Sequence, residues 1–536
     1  MTKRVTLFLA LGLLVFGSLA VAETAVPETP GATPGGDLVI GVSQTFKDMD
    51  PRIANSAYDA YVLNVVYDGL IILHPDTLAP SPWVAKSWDI LSDSQVRFYL
   101  NEGITFHNGE PLTAEDVAFT FNWIADEANN SPNMTELTWM EEAVVVDEYT
   151  VDIFTKPEYA PFAPGFGNET QAIVPMDTVL EMGDEEFNLN PVGSGPYKFV
   201  EWLPGDHIKV ERNEDYWLVY PNLDTITYRP IPELSVMMLE LESGGIDIAD
   251  NMPATDVPRF MAMDDVDVQQ VGSLSYFHMF FNLNSPIASD IRFRKACYLS
   301  VEMDDAVFSI FQNLTGVKAY GCIPPALWAN DQEWLEENVY LEEDDEEAQR
   351  LFAELRAEGI LPEGYTVRVH TPLDPRRRQL ATIMATSLIE NGVDAVVVPL
   401  DWGPLLDLAY RSESDPIGDF EMMWMGWSGG PDPHDFIYYM FHSDNATVGS
   451  ADNMSFYSNP VVDQLIDEAD TTLDQAVREQ KYVEAQRVVY QDYGAIPGYH
   501  YVETRGVRAR VQGFQISPLS NHWMCTPYHN VWILGG

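Results

Sequence analysis

The length of the chain is the feature that most constrains its fold. One hydrophobic core stops growing at about 250–300 residues, and this sequence has 536 residues. Two or three lobes are therefore expected. The composition supplies a core for each lobe, because 46% of the residues are hydrophobic and 12% are aromatic. A globally disordered chain is excluded on the same ground.

Strand and helix patterns alternate along the sequence, which is typical of an α/β or α+β architecture. A strand from Thr366 to His370, a helix from Arg377 to Asn391 and a strand from Ala395 to Pro399 predict a βαβ-like unit with parallel strands. Upstream, Thr113-Ala114-Glu115-Asp116 predicts a helix N-terminus with a capping box, in which Asp116 accepts a hydrogen bond from the Thr113 amide.

Two further segments have predicted boundaries. A β-hairpin is expected from Tyr197 to Glu211, with Pro204-Gly205-Asp206 at its turn. A helix is expected from Arg292 to Phe311, broken or capped anew at Asp304-Asp305. The glycine-containing loop from Pro191 to Pro196 lacks GxGxxG spacing and leads into a strand, so we interpret it as a structural turn rather than a phosphate site.

The first 22 residues have the pattern of a secretory signal peptide. Lys3 and Arg4 precede an apolar run from Val5 to Leu19, and Ala20-Val21-Ala22 fits signal peptidase. An uncleaved anchor helix is the alternative, but the apolar run is shorter than the ~20 residues that a membrane span needs. Residues 23–36 then form a flexible leader. We expect a secreted protein that is periplasmic or otherwise extracytoplasmic.

The charge of the chain excludes two kinds of partner. The formal net charge is −54, from 29 Lys+Arg and 83 Asp+Glu. A field of this sign repels nucleic acids and anionic lipid headgroups. Attraction of cationic solutes and adaptation to salt are the two explanations of the charge. We favour salt adaptation, because the acids spread along the whole chain and are densest from Glu342 to Glu347.

The sequence carries no recognisable catalytic or metal-binding pattern. It contains no GxSxG, HExxH or paired-carboxylate signature, so we expect neither an enzyme nor a cofactor. Cys297, Cys322 and Cys525 permit at most one disulfide and fit no zinc spacing. His434 and His442 are eight residues apart on one predicted helix, and the two turns between them make them poor joint ligands for one metal ion.

Four motifs follow one another over nearly all of the mature chain. They are Phe106 to Val117 (FHNGEPLTAEDV), Gly193 to Trp217 (GSGPYKFVEWLPGDHIKVERNEDYW), Phe281-Asn282 followed by the helix Ile291 to Ala296, and Cys322-Ile323-Pro324-Pro325. Each motif is weak alone. In this order they resemble the family 5 extracellular solute-binding proteins of ABC importers, the dipeptide-, oligopeptide- and nickel-binding group.

This resemblance implies a two-lobed periplasmic-binding-protein fold, α/β with an α+β insert, whose lobes close on a ligand at a hinge. It implies three subdomains: a lobe I core of residues 37–75, 193–286 and 505–536, an inserted subdomain of residues 76–192, and lobe II of residues 287–504. The lobes are discontinuous because the chain crosses the hinge more than once. The closed, monomeric protein then delivers a small-molecule solute to an ABC permease in the membrane.

The segment Met422 to Phe441 resembles the pocket loop of the family. The resemblance places four of its side chains at the ligand: Trp424, Trp427, Ser428 and Tyr438. Tryptophan rings offer a ligand a large stacking surface at low entropic cost. Ordinary core packing is the alternative for the two tryptophans, but the glycines and the proline around them favour an exposed loop.

Three residues outside that segment are also candidate ligand contacts. Tyr276 shares a strand face with His278 and faces either the cleft or the core. Trp402 follows the carboxyl end of a predicted strand, where α/β proteins often place ligand residues. Arg376 is the first of three adjacent cations, which bind a ligand carboxylate or form a solvated helix N-terminus.

The sequence says less about which solute is bound than about how the solute is captured and delivered. Peptide-binding relatives usually carry an acid two or three residues before an Asp-Pro step, where it pairs with the peptide ammonium. Here Gly429, Gly430 and Pro431 precede Asp432-Pro433. A buried ammonium without a carboxylate is strongly destabilised, so peptide binding requires another acid. A peptide-like solute remains the prediction, an oligosaccharide is the alternative, and a nickel or metallophore ligand is a distant one.

Overall fold

The computed structural model describes residues 33–92, 94–156, 171–449, 452–519 and 524–535. The predicted signal peptide lies outside these residues. The strands, in chain order, are β1 Asp37–Val42, β2 Ile71–Leu73, β3 Pro80–Pro82, β4 Ala85–Ser92, β5 Gln95–Leu100, β6 Met140–Asp147, β7 Thr150–Thr155, β8 Tyr197–Leu203, β9 His207–Arg212, β10 Thr225–Pro230, β11 Ile248–Ala249, β12 Val266–Phe281, β13 Gly316–Lys318, β14 Val367–Pro372, β15 Ala395–Leu400, β16 Met422–Ser428, β17 Ala495–Arg508, β18 Val511–Gln512 and β19 Trp532–Ile533.

The helices pack on both sides of these strands. In chain order they are α1 Ala57–Val66, α2 Ala114–Ala125, α3 Met176–Met182, α4 Asp184–Leu189, α5 Leu234–Ser243, α6 Val257–Met261, α7 Ile291–Leu299, α8 Met303–Phe311, α9 Gln332–Asn338, α10 Asp345–Ala357, α11 Pro375–Glu390, α12 Trp402–Tyr410, α13 His434–Phe441, α14 Pro460–Asp470 and α15 Gln475–Gln491, with short 3₁₀ turns at Glu127–Asn129, Pro132–Leu137 and Ser443–Asn445. None of the helices in the described ranges combines the length and the apolar character that crossing a bilayer requires.

One continuous sheet runs through both lobes. Its strand order is β15-β14-β16-β12-β17-β11-β1-β10-β9-β8, and β13 pairs with β17 beside this path. In lobe I, β1 is parallel to both β10 and β11. In lobe II, β14 is parallel to both β15 and β16. Each half of the sheet therefore has its own set of parallel strands, whose carboxyl ends are the usual place for ligand residues.

The two longest strands join the lobes. β12 and β17 are antiparallel partners along most of their length, with register shifts at Gly272/Tyr276 and Phe277/His278. The beginning of β12 and the end of β17 lie with β11 in lobe I, whereas the end of β12 pairs with β16 in lobe II. The ladder is interrupted after Gly272, and such irregularities locally bend and twist strands.

A separate sheet belongs to the inserted part of lobe I. Its order is β4-β5-β7-β6, and all its neighbours are antiparallel. Its buried side chains form a hydrophobic cluster with α2 that includes Phe98, Val117 and Phe121. This sheet lies within the predicted insert of residues 76–192, and the exact subdomain boundaries remain a prediction.

Several local predictions are confirmed. Helix α2 begins with the capping box, in which the Thr113 amide donates to Asp116. The hairpin is β8–β9, and β14–α11–β15 is the parallel unit. The helix predicted from Arg292 to Phe311 is two helices, α7 and α8, whose break lies slightly earlier than expected, because the Glu302 side chain accepts from the Asp304 amide and starts the second helix.

The three cysteines are free thiols buried in three different places. Cys525 belongs to the core of lobe I, whereas Cys297 and Cys322 lie in two separate clusters of lobe II. The one disulfide that the sequence permitted is therefore not formed.

Candidate ligand-binding cleft

We take as the candidate cleft the place where residues that follow strand ends of both lobes come near the crossing strand β17. Tyr501 on β17 contacts residues of both lobes. Its hydroxyl donates to Asn251, just after β11 in lobe I, at 3.4 Å. The guanidinium of Arg376, at the start of α11 in lobe II, lies 5.7 Å from the centre of its ring. The ends of the parallel strands of both lobes thus meet over the hinge.

Arg376 is the cation of this cleft. Its side chain is 46% exposed and donates to Asp374 at 3.1 Å. The neighbouring Arg377 is more buried and lies 5.3 Å from the ring of Phe277. A guanidinium held over one aromatic ring, with donors still open to solvent, can bind a ligand carboxylate.

A buried carboxylate lies on the lobe I side of the cleft. Asp250 Oδ2 accepts from the amide and from the hydroxyl of Ser43, each at 3.1 Å. The same hydroxyl is 3.0 Å from that of Tyr58. Burial raises the pKa of Asp250 to about 7, opposed by the Ser43 bonds and by the positive charge of Arg505. Its Oδ1 has no hydrogen-bond partner among the described residues.

The lobe II wall begins at the end of β16. Trp427 is partly exposed there, and its ring stacks on Tyr439 with centroids 5.6 Å apart. Ser428 is exposed, and its hydroxyl is 2.9 Å from that of Ser275 on β12. These two side chains lie at the carboxyl end of β16, whereas the sequence predicted them as ligand contacts on an exposed loop.

Asp435 places a carboxylate beside the glycines that replace the expected acid. Its Oδ2 accepts from the amide of Gly430 at 2.9 Å. A Cβ atom added to Gly430 would lie 2.5 Å from this oxygen, and one added to Gly429 would lie 2.9 Å from the Cβ of Asp435. The side chain of Asp435 therefore fills the space that side chains at 429 and 430 would occupy.

The charge state of Asp435 depends on both lobes. Burial raises its pKa to about 6. The charge of His434 and the hydrogen bond from Gly430 oppose this, whereas Asp432 and, to a smaller extent, Glu136 raise the pKa further. Glu136 belongs to the insert of lobe I and accepts from Gln171. The effect of Glu136 on the pKa of Asp435 indicates that the two acids lie within electrostatic reach, and a cation near both would relieve their repulsion.

Tyr438 lies one helical turn beyond His434 on α13. Its half-buried ring stacks between His434, at 4.6 Å, and His442, at 4.9 Å. The two histidines bind different carboxylates: His434 Nδ1 is 2.8 Å from Asp470, and His442 Nε2 is 3.3 Å from Asp467. They do not converge on one point, and no group of three or more His, Cys, Asp or Glu side chains in the described ranges is arranged to hold a metal ion.

Trp424 and Tyr276 lie in the core. This contradicts the predicted place of Trp424 at the ligand, whereas for Tyr276 the core was one of the two positions that the sequence left open. Trp424 is an interior residue of β16, has no exposed surface and packs in the largest cluster of lobe II. The expected exposed loop is therefore wrong for the segment 422–428, because Gly426 packs against the ring of Phe277 within the sheet. Tyr276 is equally buried, and its hydroxyl bonds to that of Tyr490 at 2.9 Å.

Trp402 has a different setting. It is the first residue of α12, directly after β15, and half of its surface is exposed. It thus lies at the strand end that the sequence predicted.

Asp250, Tyr501 and Asp435 complete the cleft, and sequence reasoning did not single them out. The only signal for Asp435 was the unusual pair of glycines before it.

Two lobes on one sheet, with a charged and aromatic cleft at the hinge, define a solute-binding protein. The chain belongs to the bacterial extracellular solute-binding proteins of family 5. The model of that family, described as "Bacterial extracellular solute-binding proteins, family 5 Middle", matches residues 79–448. The identification of the family from sequence motifs is confirmed.

Known relatives cover nearly the whole chain. The sequence is 25% identical to the dipeptide-binding protein of Escherichia coli (strain K12), over 95% of this chain and 97% of that protein. The structure is similar to HbpA2 from Haemophilus parasuis, with a TM-score of 0.82, 22% identity and coverage of 93% and 100% of the two chains. It is also similar to AppA from Bacillus subtilis in complex with a nonapeptide, with a TM-score of 0.74, 23% identity and coverage of 94% and 100%. The predicted two-lobed fold is confirmed.

Proposed function

We propose that this protein is the non-catalytic, extracytoplasmic component of an ABC importer, which captures a peptide-like solute by lobe closure and delivers it to a membrane permease. Relatives over nearly the full length support the peptide class, since one is a dipeptide-binding protein and another was solved with a nonapeptide. The signal-peptide pattern of residues 1–22 supports secretion. We propose that the protein acts as a monomer.

The observation that carries the peptide assignment is the pair of opposite charges in the cleft. A free peptide has an ammonium at one end and a carboxylate at the other. We propose that Asp435 supplies the acid that Gly429 and Gly430 cannot supply, with Glu136 within electrostatic reach of it. Arg376 supplies a partly open guanidinium on the same lobe. The acid that the sequence argument required is thus available six residues downstream of Gly429.

The remaining contacts follow from their positions. We propose that Trp427, Ser428 and Tyr438 bind the solute on one side, with Arg376 and Trp402 at the neighbouring strand ends. The partly exposed rings among them would hold varied ligand side chains by stacking and apolar contact. Trp424 and Tyr276 are left out of this set, because they pack in the core beneath it.

Closure follows from the charges on both lobes. An ammonium held between Asp435 and Glu136 attracts the two walls to each other, whereas without a solute the two acids repel. If a solute binds the closed form more tightly than the open form by a few kcal/mol, this is sufficient to shift the population of molecules from open to closed.

Native mass spectrometry of the purified protein tests the proposal directly, because a bound solute should appear as a mass of peptide composition. A thermal-shift series with free, N-acetylated and C-amidated peptides then tests the charge pairing. A free peptide at 100-fold excess over Kd should stabilise the protein by about 2.7 kcal/mol, and either blocked form should stabilise it less. An oligosaccharide that raises Tm while no peptide does would overturn the peptide assignment.

A further inference from the structure

A small cavity lies in lobe II, beside Trp427 and separate from the charged groups of the cleft. Its walls come from β12, β16, α13 and the segment 452–455, and its volume is about 20 Å³. That space holds one water-sized occupant. The cavity is too small to hold a side chain of the ligand, so the proposed peptide binding does not account for it.

His278, Asp452 and Ser455 are the polar residues that line this cavity, and His278 is the one that a metal ion would use. The side chain is 6% exposed, and its Nδ1 has no hydrogen-bond partner among the described residues. Tyr276 stacks on the ring, with centroids 4.8 Å apart and an interplanar angle of 15°. A neutral imidazole carries a lone pair on one ring nitrogen, and that nitrogen can bind a metal ion.

Methionines surround this imidazole from three separate elements. Met425 lies directly opposite His278 in the antiparallel register of β12 and β16. Met440 comes from α13, and Met454 comes from the segment after it; all three line the same cavity as His278. Met425 is 2% and Met440 is 5% exposed. Thioether sulfurs are weak hydrogen-bond acceptors, so these three side chains offer little to a water molecule.

Thioether and imidazole groups are the donors that Cu(I) prefers. We propose that this cavity binds one Cu(I) ion through Nδ1 of His278 and the sulfurs of Met425, Met440 and Met454. The four donors are neutral, so the bound ion keeps its positive charge. The face of an aromatic ring attracts a cation, and Trp427 lines the cavity. The carboxylate of Asp452 lies in the same wall and balances the charge.

The four donors of this site take no part in the proposed peptide function, although Trp427 lines both places. Its donors are not those that pair with the ends of a peptide, so failure of one assignment leaves the other standing. The donor set also selects against harder divalent ions, which prefer oxygen ligands or several nitrogen ligands.

The test is an anaerobic titration of the full-length purified protein with Cu(I) in competition with bicinchoninate. We expect one Cu(I) per chain, with sulfur and nitrogen neighbours in its X-ray absorption spectrum. The double variant Met440→Leu/Met454→Leu keeps the side-chain volume and should weaken Cu(I) binding by about tenfold or more. Met279→Leu is the matched control, because this residue lies on the same strand but packs in the core on its other side.

Three outcomes overturn the proposal. The first is loss of all copper to the competitor. The second is equal Cu(I) affinity in the wild type and in a folded double variant. The third is bound copper without sulfur neighbours, which is an adventitious ion only; this spectrum is measured on the wild type and does not depend on whether the variants fold.

Discussion

Replacing Asp435 by Asn should weaken peptide binding while leaving the fold intact. Asparagine has the same shape, and its side-chain oxygen can still accept from the Gly430 amide that Asp435 now binds at 2.9 Å. The change removes the negative charge that a peptide ammonium needs. The variant should therefore keep the wild-type Tm without ligand and lose most of the stabilisation that a peptide gives.

The size of the loss follows from electrostatics. A unit charge pair at about 4 Å is worth about 4 kcal/mol at an effective dielectric constant of about 20, and truncating one partner of a buried pair costs about 2–5 kcal/mol. Asp435 is only partly buried, so we take about 2 kcal/mol, which is a Kd increase of about 30-fold. Isothermal titration calorimetry with a dipeptide at pH 7 measures it.

The pH dependence supplies a second measurement on the same residue. The pKa of Asp435 is raised to about 6, with burial as the largest cause. Only the ionised form pairs with an ammonium, so affinity is gained as the pH rises through 6 and lost as it falls. A pKa of about 6 leaves about a tenth of the groups ionised at pH 5, so Kd should be about tenfold weaker than at pH 7. In Asp435→Asn this dependence should vanish.

Two controls separate this effect from a general change of charge. Glu479→Gln removes an exposed acid on α15 and should leave Kd unchanged. An N-acetylated peptide should bind the wild type and Asp435→Asn equally. The reasoning is refuted if Asp435→Asn binds a free dipeptide within twofold of the wild type, or if the wild-type Kd is constant between pH 5 and pH 7.

Three further outcomes are expected. Arg376→Gln should weaken the binding of a free peptide by about tenfold or more, because a hydrogen bond to a charged group is worth about 1.5–3 kcal/mol. The same variant should bind a C-amidated peptide as well as the wild type does. Equal losses of affinity for both peptides would contradict a carboxylate contact. Gly193→Ala should lower the free energy of unfolding by about 3 kcal/mol, because the new Cβ would overlap the Val66 carbonyl. Gly272→Ala is the control and should change this free energy little, because its Cβ would meet no atom within 4 Å. Urea unfolding measures both variants. Raising NaCl from 0.1 M to 1 M should raise Tm, since the Debye length falls from about 10 Å to about 3 Å around a chain of net charge −54; a constant Tm argues against salt adaptation.

The local elements were predictable because their signals are short in range. The capping box at Thr113 depends on residues three apart, and the parallel unit from Val367 to Leu400 depends on apolar strands of ordinary length around one helix. The break between α7 and α8 was predicted nearly in place. The lobes and the family were predictable because several motifs occur in the right order over the chain.

The place of Trp424 was mispredicted because glycines were taken as a sign of a loop. The segment 422–428 is an apolar run of strand length, which equally fits a buried parallel strand. Gly426 is inside that strand because the ring of Phe277, on β12, occupies the space of its side chain. A contact between residues about 150 positions apart decides this, and no local pattern reports it.

The charged residues of the cleft were missed for a related reason. Tyr501 meets Arg376 and Asn251 only because β17 crosses between the lobes. Asp435 lies within the segment that the sequence singled out, but its role depends on the turn that brings it back to Gly430. Sequence reasoning stated that another acid was needed and could not say which of many acids would be near.

The uninterrupted strands β12 and β17 determine how the protein opens and closes. A linker of free chain would let the lobes swing by rotation about a few single bonds. Here the same movement must flex a ladder of hydrogen bonds, with the register shift after Gly272 as its most compliant point. Such a hinge restricts the lobes to one direction of bending and resists sideways displacement of one lobe relative to the other. The bent strands also favour a return to their original shape when the solute leaves.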